Sequence, residues 1–148
     1  MRLLASLIAL GGPAAAQYAY VPEALRGDRV DLDGPQAAAV AVATTDSLPG
    51  SACTAAAPSP AAVVQEFETG GPPRHAHYTI LLRAAVDQIR FMAGQRGANA
   101  ALGLRTQFVL PPPDESGRRH LQVVASATLA RCVQRESGLA APLTEDGR

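Results

Sequence analysis

The stretch YTILLRAAVDQIRFMAGQRGANAALGLRTQFVL, residues 78–110, decides the fold of this chain. In its first part Tyr78, Leu81, Leu82, Ala85, Ile89, Met92 and Ala93 recur at helical spacing, while Arg83, Asp87, Arg90 and Gln95 fall largely elsewhere. This predicts an amphipathic helix over 78–96 with one buried stripe. Gly97 follows as the residue that a left-handed C-terminal cap takes. Phe91 stands off the main stripe, where it either widens the buried face or points at a partner.

From residue 101 the period changes to two. Leu102, Leu104, Thr106, Phe108 and Leu110 alternate with Ala101, Gly103, Arg105, Gln107 and Val109, the pattern of a half-buried strand. Three prolines at 111–113 cannot enter a sheet interior, so 111–119 reads as an exposed loop. Alternation resumes over 121–133, with Leu121, Val123, Ala125, Ala127 and Leu129 on one side. The two runs are expected to pair as an antiparallel hairpin, on whose small residues Ala125, Ser126 and Ala127 the helix can pack closely.

Working back from the helix, residues 70–73 are a Gly/Pro breaker, 63–67 suits a short strand, 55–61 is an Ala/Pro/Ser loop and 46–50 a turn. Val40, Val42 and Thr44 alternate with small residues and predict a strand over 38–45. Residues 17–35 show no sustained periodicity beyond a short strand near 30–32, and this segment either packs on the domain or stays mobile. The expected class is α+β: a small antiparallel sheet of three or four strands packed on one main helix, in the order β-(β)-α-β-β. The expected organisation is a signal peptide over 1–16, a lead-in over 17–36, the domain over 37–134 and a flexible tail over 135–148.

The N-terminus has the three parts of a secretory leader: Met1-Arg2, an apolar run over 3–10, and small residues through Ala14-Ala15-Ala16 before Gln17. The apolar run is shorter than the ~20 residues that span a bilayer. No Cys stands at its end to take a lipid. A periplasmic or secreted location follows as an expectation. In such a compartment Cys53 and Cys132 invite a disulfide, closing a loop of about 80 residues at a stabilisation on the order of 4 kcal/mol; two free thiols are the alternative.

Charge balances at 13 Lys+Arg against 13 Asp+Glu, every cation being Arg, which leaves no basic field for nucleic acid or anionic lipid. Aromatic residues make up 4% and Trp is absent, a poor supply for a large aromatic ligand pocket. There is no nucleophile-elbow motif, HExxH, P-loop or GxGxxG, so no enzyme is expected. Asp114 and Glu115 read as a solvated carboxylate pair, with Arg118 and Arg119 as surface charge.

Gly97-Ala98-Asn99-Ala100-Ala101-Leu102-Gly103-Leu104, followed by Val123-Val124-Ala125-Ser126-Ala127-Thr128-Leu129, resembles the YbjQ-type heavy-metal-binding domain family and the RcsF-like domains of envelope stress sensing. The resemblance covers roughly 38–133 in order of elements. It implies a helix delivered through the Gly97–Asn99 turn into a hairpin, and it raises ring formation as a form of self-association. In RcsF-like domains a cysteine stands where Cys53 does, although those domains carry a lipid anchor and two disulfides that this chain lacks. Gly97 and Asn99 are expected to be structural, Asn99 through bonds to nearby backbone.

His75-Ala76-His77 is the only histidine cluster. On an extended segment an HxH pair can place both rings on one face, and with His120 as third ligand it would suit Zn²⁺ or Cu²⁺. The leading expectation is an exported, non-enzymatic interaction or sensor-like module without a cofactor, binding an envelope protein or its own copies as a homo-oligomer. Divalent metal binding through His75 and His77 is the alternative.

Overall fold

A computed structural model describes residues 16–18 and 22–135 of the chain. Residues 1–15 of the expected signal peptide over 1–16, and residues 136–148 of the expected tail over 135–148, lie outside the described residues. Among the described residues the fold is α+β, one α-helix against one sheet. Its strands are β1 (Ala16–Tyr18), β2 (Ala41–Val42), β3 (Ser51–Ala55), β4 (Ala61–Thr69), β5 (Ala100–Leu110) and β6 (Arg119–Gln134), with α1 (His75–Gln95) between β4 and β5.

The expected hairpin is the centre of the sheet: β5 and β6 pair antiparallel from Ala100 opposite Ala130 to Val109 opposite Gln122. On the outer edge of β6, β4 pairs with 119–127 and β3 with 130–134, both antiparallel. These two strands are one edge interrupted at 56–60, where Ala56 N–H still donates to Leu129 O at 2.8 Å. Along the outer edge of β5, β1 pairs antiparallel near Phe108 and β2 pairs parallel at Ala100–Ala101. Among the described residues the sheet therefore has six strands and is mixed, where the sequence pattern predicts three or four antiparallel strands; the additions are short strands that the long hairpin recruits at its edges.

Helix α1 lies on one face. Its Tyr78, Leu81, Leu82, Ala85, Val86, Ile89 and Ala93 meet Val63, Leu104, Phe108, Leu121, Val123 and Leu129 of the sheet in one buried cluster. Tyr78 meets Phe108 edge-on at 5.1 Å between ring centroids. Ala125 and Ala127 at the contact let the helix approach closely, as their small size suggested. The helix ends in a Schellman motif: Gly97 takes φ +73°, its N–H reaches Gly94 O and the N–H of buried Ala98 reaches Ala93 O at 2.8 Å.

Three expectations are corrected in detail. The strand over 38–45 shrinks to Ala41–Val42, because the backbone turns at 35–39 with Ala39 and Val40 N–H bonded to Gln36 O. The short strand at 30–32 is a single bridge, Arg29 opposite Ala43. The alternation of β5 is broken at Gly103, which takes φ +65° and donates to Thr45 O at 2.7 Å. There three β5 steps from Leu102 to Arg105 match two on β6, an inserted residue that reverses the faces. Leu102 thus leaves the helix side and joins Ala43, Ala100, Ala130 and Cys132 in a second small core on the far face.

The lead-in packs on the domain from residue 22 onward. Val30, Leu32 and Val40 are buried in the main core, and Arg90 of α1, 3% exposed, donates from Nη1 to Leu32 O at 2.6 Å. Arg90 lies off the apolar stripe of the sequence pattern, yet the lead-in covers it and acts as a strap. Burial works to lower its pKa, against Asp87, Asp31 and Asp33, which favour its charge. At Gly34 the strap touches the helix so closely that a methyl group would run into the Asp87 carboxylate.

Candidate functional site

The far face of the sheet has two ends. One is closed by the second small core and the Cys53–Cys132 disulfide, which joins residues directly opposite each other on β3 and β6. Cys53 and Cys132 are thus bonded to each other, and neither is a free thiol. Asn99 braces this end: its Nδ2 donates to Cys132 O at 2.9 Å and its Oδ1 accepts from Cys132 N–H at 2.7 Å. The side-chain amide thus stands in for a strand residue, continuing the β5–β6 ladder past the point where β5 begins. Replacing Asn99 by Ala would leave both groups of Cys132 without these partners and is expected to cost about 2 kcal/mol. Asn99→Asp should not rescue it, since a carboxylate cannot donate to Cys132 O; urea denaturation of the three proteins checks both points.

The other end is open and charged. Val64 and Val124 stand opposite each other, 62% and 40% exposed. Beside them His120 sits between two carboxylates, with Nδ1 2.7 Å from Glu66 Oε2 and Nε2 3.0 Å from Asp114 Oδ2. β-strand alternation places Glu66, Glu68 and His120 on this face, and Phe67 and Leu121 on the other.

Asp114 organises the loop between β5 and β6. Its Oδ1 accepts from Ser116 N–H, Ser116 Oγ and Arg118 N–H at 2.9, 2.7 and 2.9 Å, and Gly117 closes the turn at φ +84°. The loop is further tied to β4 by an ion pair of Arg118 with Glu68. His120 holds the Asp114 carboxyl well below the usual carboxylate range, helped by Ser116 and Arg118. In turn Asp114 raises the His120 pKa, with Glu66 adding to it against the cost of desolvation. Asp114 is therefore the hub of the loop, and Arg118 its anchor, where both had read as solvated surface.

The three histidines are not brought together. His75 and His77 open α1 and do not lie on an extended lead-in; two positions apart on a helix, they point to opposite sides. His77 packs on Phe67 at 5.0 Å, on the helix side of the sheet, and its Nδ1 accepts from Arg74 N–H at 2.9 Å. His120 faces the other side. Among the described residues no three His, Cys, Asp or Glu side chains converge as a metal site. An open cleft of about 610 Å³ lies at the β4–α1 turn, lined by Phe67, Thr69, Pro73, Arg74 and His77 among others.

What the open end can do chemically follows from the ring. With both nitrogens facing carboxylates, a protonated His120 donates from each and acts as a charged bridge, with no free lone pair to bind a cation or abstract a proton. The clue in the sequence is Glu66-Phe67-Glu68, whose period-two charges sit opposite His120 only once the β4–β6 register is known. No protein-family model and no curated protein sequence matches the chain. None of its described helices is long and apolar enough to cross a membrane.

Proposed function

We propose that the chain is an exported, disulfide-stapled module of the bacterial envelope, working in the periplasm or outside the cell by interaction or sensing and not by catalysis. The observation that carries this reading is the Cys53–Cys132 bond, because such bonds persist in oxidising compartments and are rare in a reducing cytosol. The leader-like N-terminus supplies the route there. The order of elements through the Gly97–Asn99 turn supports kinship with the YbjQ-type and RcsF-like domains, and the open face, apolar at Val64 and Val124 beside charged Glu66 and His120, has the mixed character of interaction surfaces. The module works on another envelope protein or on its own copies.

The test is expression of the full sequence in a bacterium, followed by fractionation, intact mass and thiol trapping with a maleimide reagent. The expected result is a periplasmic or extracellular protein lacking residues 1–16, whose thiols react only after reduction. A full-length cytosolic protein with two reactive thiols would overturn the reading. Light scattering on the purified protein distinguishes self-association from a monomer that requires a partner.

A further inference from the structure

We propose that His120 is a proton-operated latch: in its protonated form it bridges Glu66 of β4 and Asp114 of the β5–β6 loop and holds the loop against the sheet, and on losing its proton it lets the loop go. An imidazolium has two N–H donors, one for each carboxylate at 2.7 and 3.0 Å. A neutral ring has one N–H and one lone pair, and whichever nitrogen carries the lone pair then faces a carboxylate that it repels. One bridge must open.

The charged groups around His120 are few. β4 contributes Glu66 and Glu68, and the loop contributes Asp114 and Arg118, with Glu115 exposed beside them. Arg119 sits opposite Thr69 on the other face, and the charged residue of β5, Arg105, lies opposite Ser126, well along the strand. The three bonds to Asp114 Oδ1 lie within the loop, so an unlatched loop keeps its internal turn and detaches as a unit. Among the described residues only the Arg118–Glu68 pair then ties it to β4 through side chains.

The sign follows from both partners. The His120 pKa is raised, so its contribution is complete below the unfolded value and is lost as pH climbs through the folded one, on the alkaline side of 6.5. That of Asp114 is lowered, so its contribution holds above the ordinary carboxylate range and is lost only in strong acid. The latch is closed in mild acid and opens as pH climbs through the folded His120 value, which lies above 6.5. Opening also leaves the face beside Val64 and Val124 one unit more negative. This gives a sensing module its stimulus, but the latch rests on the folded domain alone and would operate in any compartment.

The test is NMR on the purified protein from about pH 5 to about pH 9, following the His120 ring nitrogens and the rigidity of the Ser116, Gly117 and Arg118 amides. The ring is expected to titrate above 6.5, with the loop amides losing rigidity at the same midpoint while those of Leu121–Leu129 hold. Glu66→Gln and Asp114→Asn should each lower that midpoint by about half a pH unit or more. His120→Gln should make the loop indifferent to pH. A midpoint at or below 6.5, a loop whose rigidity ignores pH in the unaltered protein, or the same pH response in His120→Gln would overturn the latch; Glu66→Gln carries the test if His120→Gln fails to fold.

Discussion

Replacing Cys53 and Cys132 together by Ala is expected to remove about 4 kcal/mol of stability and to lower Tm by roughly 15 °C. The cysteines are separated by 79 positions, so the bond removes a large share of the unfolded chain's freedom. Folded-state packing adds little to this, because β3 is an edge strand of five residues with no fully buried side chain. What the bond does in the folded protein is local. It fixes β3 to the end of β6, where the Asn99 amide also grips Cys132. Loss of the bond should therefore be felt first as fraying of Ser51–Ala55, seen by hydrogen exchange, with the β5–β6 pair unaffected until global unfolding. The untouched protein in reducing agent should melt close to the double variant. Equal melting temperatures with and without reductant would show that the bond contributes nothing to stability.

That effect also separates what was legible in the sequence from what was not. The helix stripe from Tyr78 to Ala93 and the alternation of Leu121 to Leu129 are local patterns written by one buried face, and both read correctly. β3 carries no such pattern: Ser-Ala-Cys-Thr-Ala presents no apolar face, and it is a strand only because β6 extends far enough to pair with it. The Gly103 bulge was hidden in a run that alternates perfectly in sequence, since an inserted residue changes the faces without changing the letters. The charged site was illegible for a related reason. Glu66, Asp114 and His120 come from two strands and a loop, and only the β4–β6 register together with the Asp114 turn puts two carboxylates on one imidazole. The HxH pair suits a metal only on extended chain; the helix begins at His75, three residues before the periodicity does, and this turns its two rings apart.

Arg90→Ala is expected to cost about 3 kcal/mol, the second largest effect, although an Arg on a helix is ordinarily a surface residue. The guanidinium is 3% exposed and is the donor that holds Leu32 O, the point where the strap crosses α1. Truncation leaves that carbonyl without its partner, removes the packed aliphatic stem, and unmatches the charge of Asp87, whose carboxylate lies 3.9 Å from Arg90 Nη1. Arg90→Met should recover part of the loss by refilling the stem's volume, while leaving the carbonyl unbonded. Among the described residues Asp87 Oδ1 and Arg90 Nε have no hydrogen-bond partner, so Arg90 is held there by the strap more than by its ion pair. Removing the carboxylate by Asp87→Ala should therefore cost much less than removing the guanidinium. The measurement is urea denaturation of the three variants together with limited proteolysis across residues 23–36. If Arg90→Ala unfolds at the same urea concentration as the parent and its strap resists protease equally well, the strap is held by its other contacts, among them buried Val30, Leu32 and Val40 and the Arg83 bond to Asp33 O, and burying an arginine there contributes nothing to the attachment.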